Sequence, residues 1–73
     1  MPIGTVVSFA RGKYGFVKPD DGGPDLFVHA KAVERSGLEY LSRGTRVRYQ
    51  VMPDRDGRPT ADDIVILGEG QTR

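Results

Sequence analysis

Lys13-Tyr14-Gly15-Phe16-Val17-Lys18-Pro19 and, one turn later, Asp25-Leu26-Phe27-Val28-His29 decide the fold of this chain. Side chains of an extended strand alternate between its two faces. Tyr14, Phe16 and Lys18 therefore share one face of the first stretch, and Gly15 and Val17 the other. In the second stretch Phe27 and His29 oppose Leu26 and Val28. Asp20-Asp21-Gly22-Gly23-Pro24 between them is a turn cluster, in which glycine reaches positive φ and aspartate bonds back to the backbone. Pro19 has no N–H for a ladder and stops the first strand. Joined by a tight turn, the two strands should pair. Val17, Leu26 and Val28 then fill an apolar interior, and Tyr14, Phe16, Phe27 and His29 face the other way.

Outward from this hairpin, ten glycines and five prolines punctuate the chain. The runs between them are short and β-rich, which argues for short strands joined by turns. Ile3 to Ala10 reads as a strand, followed by an Arg11-Gly12 turn. Lys13 to Lys18 and Asp25 to His29 are the second and third. Ala30 to Gly44 is a long connection with a helical turn at Lys31-Ala32-Val33-Glu34-Arg35, broken by Ser36-Gly37. Thr45 to Met52 is the fourth strand, with Val47, Tyr49 and Val51 on a buried face and Arg46, Arg48 and Gln50 on a wet one. Pro53 to Pro59 is a polar loop. Thr60 to Leu67 is the fifth strand, with Ile64, Val65, Ile66 and Leu67 its apolar part. The pattern predicts an all-β, five-stranded antiparallel Greek-key barrel, whose closure removes exposed edges. Residues 1–68 are expected to form one small domain, and 69–73 a flexible tail.

Composition narrows the function. A chain of 73 residues buries a modest core. It has no cysteine, so neither a disulfide framework nor a thiolate zinc site is available. The single histidine, His29, lacks a carboxylate cluster at metal-binding spacing, so no metal or other cofactor is expected. No apolar run approaches the roughly 20 residues of a membrane span, and Met1-Pro2-Ile3-Gly4-Thr5 does not open like a signal peptide. A soluble cytoplasmic protein follows as the expectation. Aspartates such as Asp20-Asp21 and Asp62-Asp63 read as turn formers. His29 has no nucleophile arranged with it, so no catalytic residues are assigned and an enzyme is not expected.

Net charge is only +1, so the distribution of charge matters more. Residues 1–19 hold Arg11, Lys13 and Lys18 and no acid. The second half mixes arginines with aspartates, as a solvated surface does. Aromatic residues in strands usually belong to the core, but here aliphatic residues already occupy the inward parity. An exposed ring cluster beside lysines is costly unless it binds something. Nucleobases fit it, because every base has a flat π-face and stacking tolerates sequence variation. Lys13, Arg11 and Lys18 would hold phosphates and make affinity salt-dependent. His29 could be a structural residue, but its parity with Phe27 favours stacking or hydrogen bonding at the surface.

On these residues the chain resembles the bacterial cold-shock proteins from Gly4 to about Leu67. Gly4-Thr5-Val6 is similar to that family's opening strand. Lys13-Tyr14-Gly15-Phe16-Val17 is similar to its first ribonucleoprotein motif, and Pro19 through His29 to its second motif with the preceding turn. The resemblance implies a barrel of the oligonucleotide-binding class, single-stranded RNA or DNA as ligand, and a role as RNA chaperone or regulator of gene expression. It departs from the family's pattern where lysine and tryptophan are usual, at Val7 and Ser8. Gly12-Lys13 inverts the usual order after a turn one residue shorter. Ala30 and Leu38 replace two further aromatics. Three stacking rings are thus absent at Ser8, Ala30 and Leu38, and binding should be weaker than is usual for the family. Phe9, Tyr14, Phe16, Phe27 and His29 remain as contact residues, with Lys13 on phosphate and Arg58 a lesser contact. The alternative is a protein-interaction module on the same barrel with nucleic-acid binding largely lost. The polar surface favours a monomer.

Overall fold

The computed structural model describes residues 2–68; the expected tail at 69–73 lies outside them. Five strands form the barrel: β1 Ile3–Phe9, β2 Tyr14–Pro19, β3 Leu26–His29, β4 Arg46–Pro53 and β5 Pro59–Gly68, with one helix, α1 Ala30–Arg35, between β3 and β4. Each expected strand is present, with ends shifted by a residue or so. Around the closed barrel the order is β1-β2-β3-β5-β4.

The pairing is mixed, which corrects the antiparallel expectation. Four neighbouring pairs are antiparallel, and β3 pairs β5 in parallel through Phe27 and Thr60. Counting directions shows why. Strands that alternate up and down around a ring return to the starting direction only if their number is even. A closed ring of five strands must contain at least one parallel contact, and the long link through α1 places it between β3 and β5.

Val6, Val17, Val28, Val47, Tyr49 and Ile64 occupy the interior with Ala61 and Leu41, each at most 3% exposed. The inward parity of the central hairpin is as the alternation requires: Val17 and Val28 are fully buried and Leu26 nearly so. Two apolar expectations fail. Val51 is 48% exposed, and of the Ile64 to Leu67 run only Ile64 is buried. The β4–β5 ladder is also interrupted twice. Between Arg48↔Val65 and Gln50↔Asp62, β5 carries one residue more than β4, and it does so again between Val47↔Ile66 and Arg46↔Gly68. Each extra residue is a bulge that bends the strand and shifts which side chains point inward. Asp63, with φ 50, sits in the first bulge, in the left-handed region that aspartate tolerates better than most residues.

α1 docks against the barrel end through Ala30, Ala32 and Val33, all buried. It stops at Ser36-Gly37, as expected. The Leu38 N–H donates to the Val33 carbonyl and the Gly37 N–H to the Glu34 carbonyl, with Gly37 at φ 85. That pair of bonds is the glycine-dependent C-terminal cap. Ser36 ties the helix to the bulged strand. Its hydroxyl donates to the Ala32 carbonyl and accepts the Ile64 N–H at 2.8 Å, giving that bulge amide a partner. Arg35 and Asp62 add an ion pair across the same junction.

Candidate nucleic-acid interface

β2 and β3 pair with Tyr14 opposite His29 and Phe16 opposite Phe27. Directly opposed residues share a face, so two strands assemble four rings on the outer wall. Phe27 is central. Its ring stacks with Tyr14 at 5.0 Å between centroids and meets Phe16 edge-on at 5.7 Å and His29 edge-on at 4.7 Å. Tyr14 also meets Phe16 edge-on at 6.1 Å. Tyr14 and His29 are exposed, whereas Phe16 and Phe27 are half-buried by their neighbours. The edge-on contacts hold the rings at fixed inclinations, and these pairings are favoured by the ring quadrupole.

Gly15 makes this possible from below. It faces inward between Tyr14 and Phe16 and pairs with Phe9 of β1. A Cβ there would lie 2.3 Å from the Ser8 carbonyl oxygen and 2.7 Å from the Phe9 Cα. Next to this contact β1 is itself bulged. It carries one residue more than β2 between Val6↔Val17 and Ser8↔Phe16. Val7 occupies the bulge and is 39% exposed, Ser8 stands opposite Phe16, and Phe9 turns partly inward against the core.

Of the basic residues singled out in the sequence, Arg58 lies over the platform, with its guanidinium carbon 5.3 Å from the Phe27 centroid. It is placed by the turn between β4 and β5. Asp54 Oδ1 accepts the N–H groups of Asp56 and Arg58, and the Asp54 N–H donates to the Arg58 carbonyl. Gly57, at φ 84, completes the turn. Lys13 is exposed and lines an open groove of about 530 Å³ with Ser8, Phe9, Ala10, Tyr14 and Phe16. Lys18 continues the outward face of β2 beyond Phe16, opposite Thr5. Arg11 is drawn elsewhere: it pairs with Glu39 at 3.3 Å and lies over the Tyr40 ring. Among the described residues no group of three His, Cys, Asp or Glu side chains could hold a metal ion. No helix among them is long and apolar enough to cross a membrane.

Asp54 makes the Arg58 position pH-dependent. Burial pushes its carboxyl up, but hydrogen bonds from the Arg58 and Asp56 amides, with the Arg58 guanidinium, outweigh burial and hold it below its ordinary value. A carboxyl lowered in the folded state contributes its stability in full above the unfolded value of about 3.9. That contribution is lost as pH falls through the lower folded value. An NMR titration from pH 6 downward should therefore show the Asp56 and Arg58 amides moving together, with a midpoint below about 3.9. A midpoint above it contradicts the assignment.

The family model described as the 'Cold-shock' DNA-binding domain matches residues 3–67, nearly all of the described chain. The chain belongs to the cold-shock domain family. Cold shock protein CspA of Rhizobium meliloti is 46% identical over 66 residues, covering 88% of this chain and 96% of that protein. Cold shock-like protein CspE of Escherichia coli is 35% identical over 65 residues, covering 88% and 93% respectively. Glycine-rich protein 2 of Nicotiana sylvestris is 44% identical over 62 residues, covering 84% of this chain but 29% of that longer protein.

In this cold-shock domain the three positions without rings differ in kind. Ser8 is exposed, shares the outer face with Phe16 and lines the open groove beside it. Ala30 is buried in the first turn of α1, where its N–H donates to the Lys13 carbonyl. Leu38 is half-buried and packs on the core. One ring escaped the sequence reading. Tyr40 lies in the long connection without strand or helix periodicity, so no parity argument reaches it, yet it is 49% exposed.

Proposed function

We propose that this cold-shock domain binds single-stranded RNA or DNA by stacking bases on Tyr14, Phe16, Phe27 and His29, with Phe9 at the margin of the platform. Lys13, Lys18 and Arg58 are the cationic groups available to phosphate, while Arg11, expected among them from the sequence, is paired with Glu39. The mechanism is passive. Captured bases are withdrawn from pairing, so hairpins refold less readily, as an RNA chaperone or a regulator of expression requires. No nucleotide hydrolysis and no catalytic group take part. The domain works as a cytoplasmic monomer.

One observation carries this reading: four rings joined through Phe27 stand on the outside of a barrel whose interior is already filled by aliphatic side chains and Tyr49. Titration with a short oligothymidine and with a duplex of equal length, each at low and moderate salt, tests it. Binding to the single strand that weakens with salt is expected. Absence of binding at low salt, or equal affinity for duplex, rules it out. A protein-interaction role would instead leave oligonucleotide binding untouched by Phe16→Ala and Phe27→Ala while abolishing a protein pull-down.

Affinity below the family's norm follows from the empty place at Ser8. Ser8→Trp should restore a ring beside Phe16 and strengthen oligothymidine binding by about tenfold, from about 1–3 kcal/mol per stacked base and 1.4 kcal/mol per tenfold. Since Ser8 is exposed, the melting temperature should stay within a few degrees. Unchanged affinity in a folded Ser8→Trp variant would show that this position is off the binding path.

A further inference from the structure

Arg11 and Tyr40 meet across the fold from two separate connections, the turn between β1 and β2 and the link from α1 to β4. The Arg11 guanidinium carbon is 5.4 Å from the Tyr40 ring centroid, and its Nη2 is 3.3 Å from Glu39 Oε1. All three are open to solvent: Tyr40 is 49% exposed, and the Arg11 and Glu39 side chains are 70% and 80% exposed. The backbone that carries the ring is nevertheless anchored. Leu38 packs on the core on one side of it and Leu41 is buried on the other, which leaves Tyr40 outward between two anchors.

We propose that Arg11 and Tyr40 form a separate stacking subsite that takes one further base of a single strand running past the Tyr14 end of the ring platform, with Glu39 keeping the arginine flat and neutralised. The inference rests on the stacking reading of the platform and adds to it a site with a different electrostatic character. A guanidinium is planar and stacks on aromatic faces, so an arginine over a tyrosine presents a π-surface to a base. Tyrosine fixes few rotatable bonds on binding. The ion pair decides the chemistry. With the Glu39 carboxylate beside it, Arg11 cannot serve a phosphate without losing its partner and bringing two anions together. The subsite therefore reads bases and contributes nothing to salt dependence, unlike Lys13, which has no ion-pair partner among the described residues.

Fluorescence anisotropy with oligothymidines of increasing length, at several salt concentrations, tests this. Wild type, Tyr40→Ala, Tyr40→Phe, Glu39→Gln and Phe27→Ala are compared. Tyr40→Ala should weaken the longer strands by about five- to tenfold, the lower end for one stacked base, spare the shortest strand, and leave the slope of log affinity against log salt unchanged. Tyr40→Phe should bind as wild type does. Glu39→Gln frees Arg11 for phosphate and should steepen the slope by about 0.7, the increment for one contact on a single strand. Phe27→Ala should weaken every length. If Tyr40→Ala matches wild type at every length while Phe27→Ala is impaired, the subsite is wrong and the platform stands. If wild type binds no strand, both fall. A shallower slope in Tyr40→Ala, or an unchanged slope in Glu39→Gln, overturns the base-reading role of the pair.

Discussion

Phe27→Ala is expected to lower affinity for a short oligothymidine by about 10- to 100-fold, from about 1–3 kcal/mol for one lost stack and 1.4 kcal/mol per tenfold. Phe27 is the ring that touches the other three, and it also carries Arg58 on its face. Its loss removes a stacking surface and releases the neighbours that it orients. The barrel should survive. Phe27 is half-buried and outside the interior cluster, so the cost in stability is a few ring contacts at about 0.5–1.5 kcal/mol each. A fall of about 4–8 °C per kcal/mol is then expected in the melting temperature. Circular dichroism would establish that the variant is folded, and isothermal titration would give its affinity. A folded variant that binds within twofold of wild type would leave the stacking platform without its central member.

Gly15→Ala should do the opposite, removing no ring of the platform and breaking the fold. A methyl at this position meets backbone on two sides, the Ser8 carbonyl oxygen and the Phe9 Cα, and the Phe9 ring at 2.7 Å besides. Backbone in a paired strand cannot rotate aside as a flexible side chain can. Overpacking costs about 1–3 kcal/mol where side chains can adjust, and the cost here should be at or above the top of that range. Small domains have only about 5–15 kcal/mol to lose, and this one belongs at the lower end. Thermal melts followed in the far ultraviolet should show a drop of more than about 12 °C, three times the lower figure per kcal/mol. A melting temperature within about 5 °C of wild type would mean that β1 and β2 can separate at little cost.

These two residues mark what strand alternation can and cannot disclose. Parity alone separates Val17, Leu26 and Val28 from Tyr14, Phe16, Phe27 and His29, because β2 and β3 pair without interruption from Tyr14↔His29 to Val17↔Leu26. The helix stop at Ser36-Gly37 is equally local, since glycine after a helix has a conformational cause. The same logic fails wherever a ladder skips. Val51, Val65, Ile66 and Leu67 look like core and are exposed, on two strands whose ladder skips twice. Nothing in the composition of β5 signals those bulges. Gly15 is legible as small and inward, but its closeness to Ser8 and Phe9 of β1 is revealed only by the assembled pair. Arg58 needed the Asp54 turn to bring it over Phe27, and Tyr40 needed the core contacts of its neighbours.

The single parallel seam has a consequence for how the molecule comes together. β1, β2 and β3 follow one another as a meander, and β4 and β5 as a hairpin, so each half can form from neighbours along the chain. The two halves then join along two lines at once, β1 to β4 and β3 to β5. All four rings of the platform belong to the first half, whereas Arg58 belongs to the second. Docking of the hairpin therefore both completes the barrel and lays the Arg58 cation across Phe27, so the cationic edge of the platform exists only in the closed molecule.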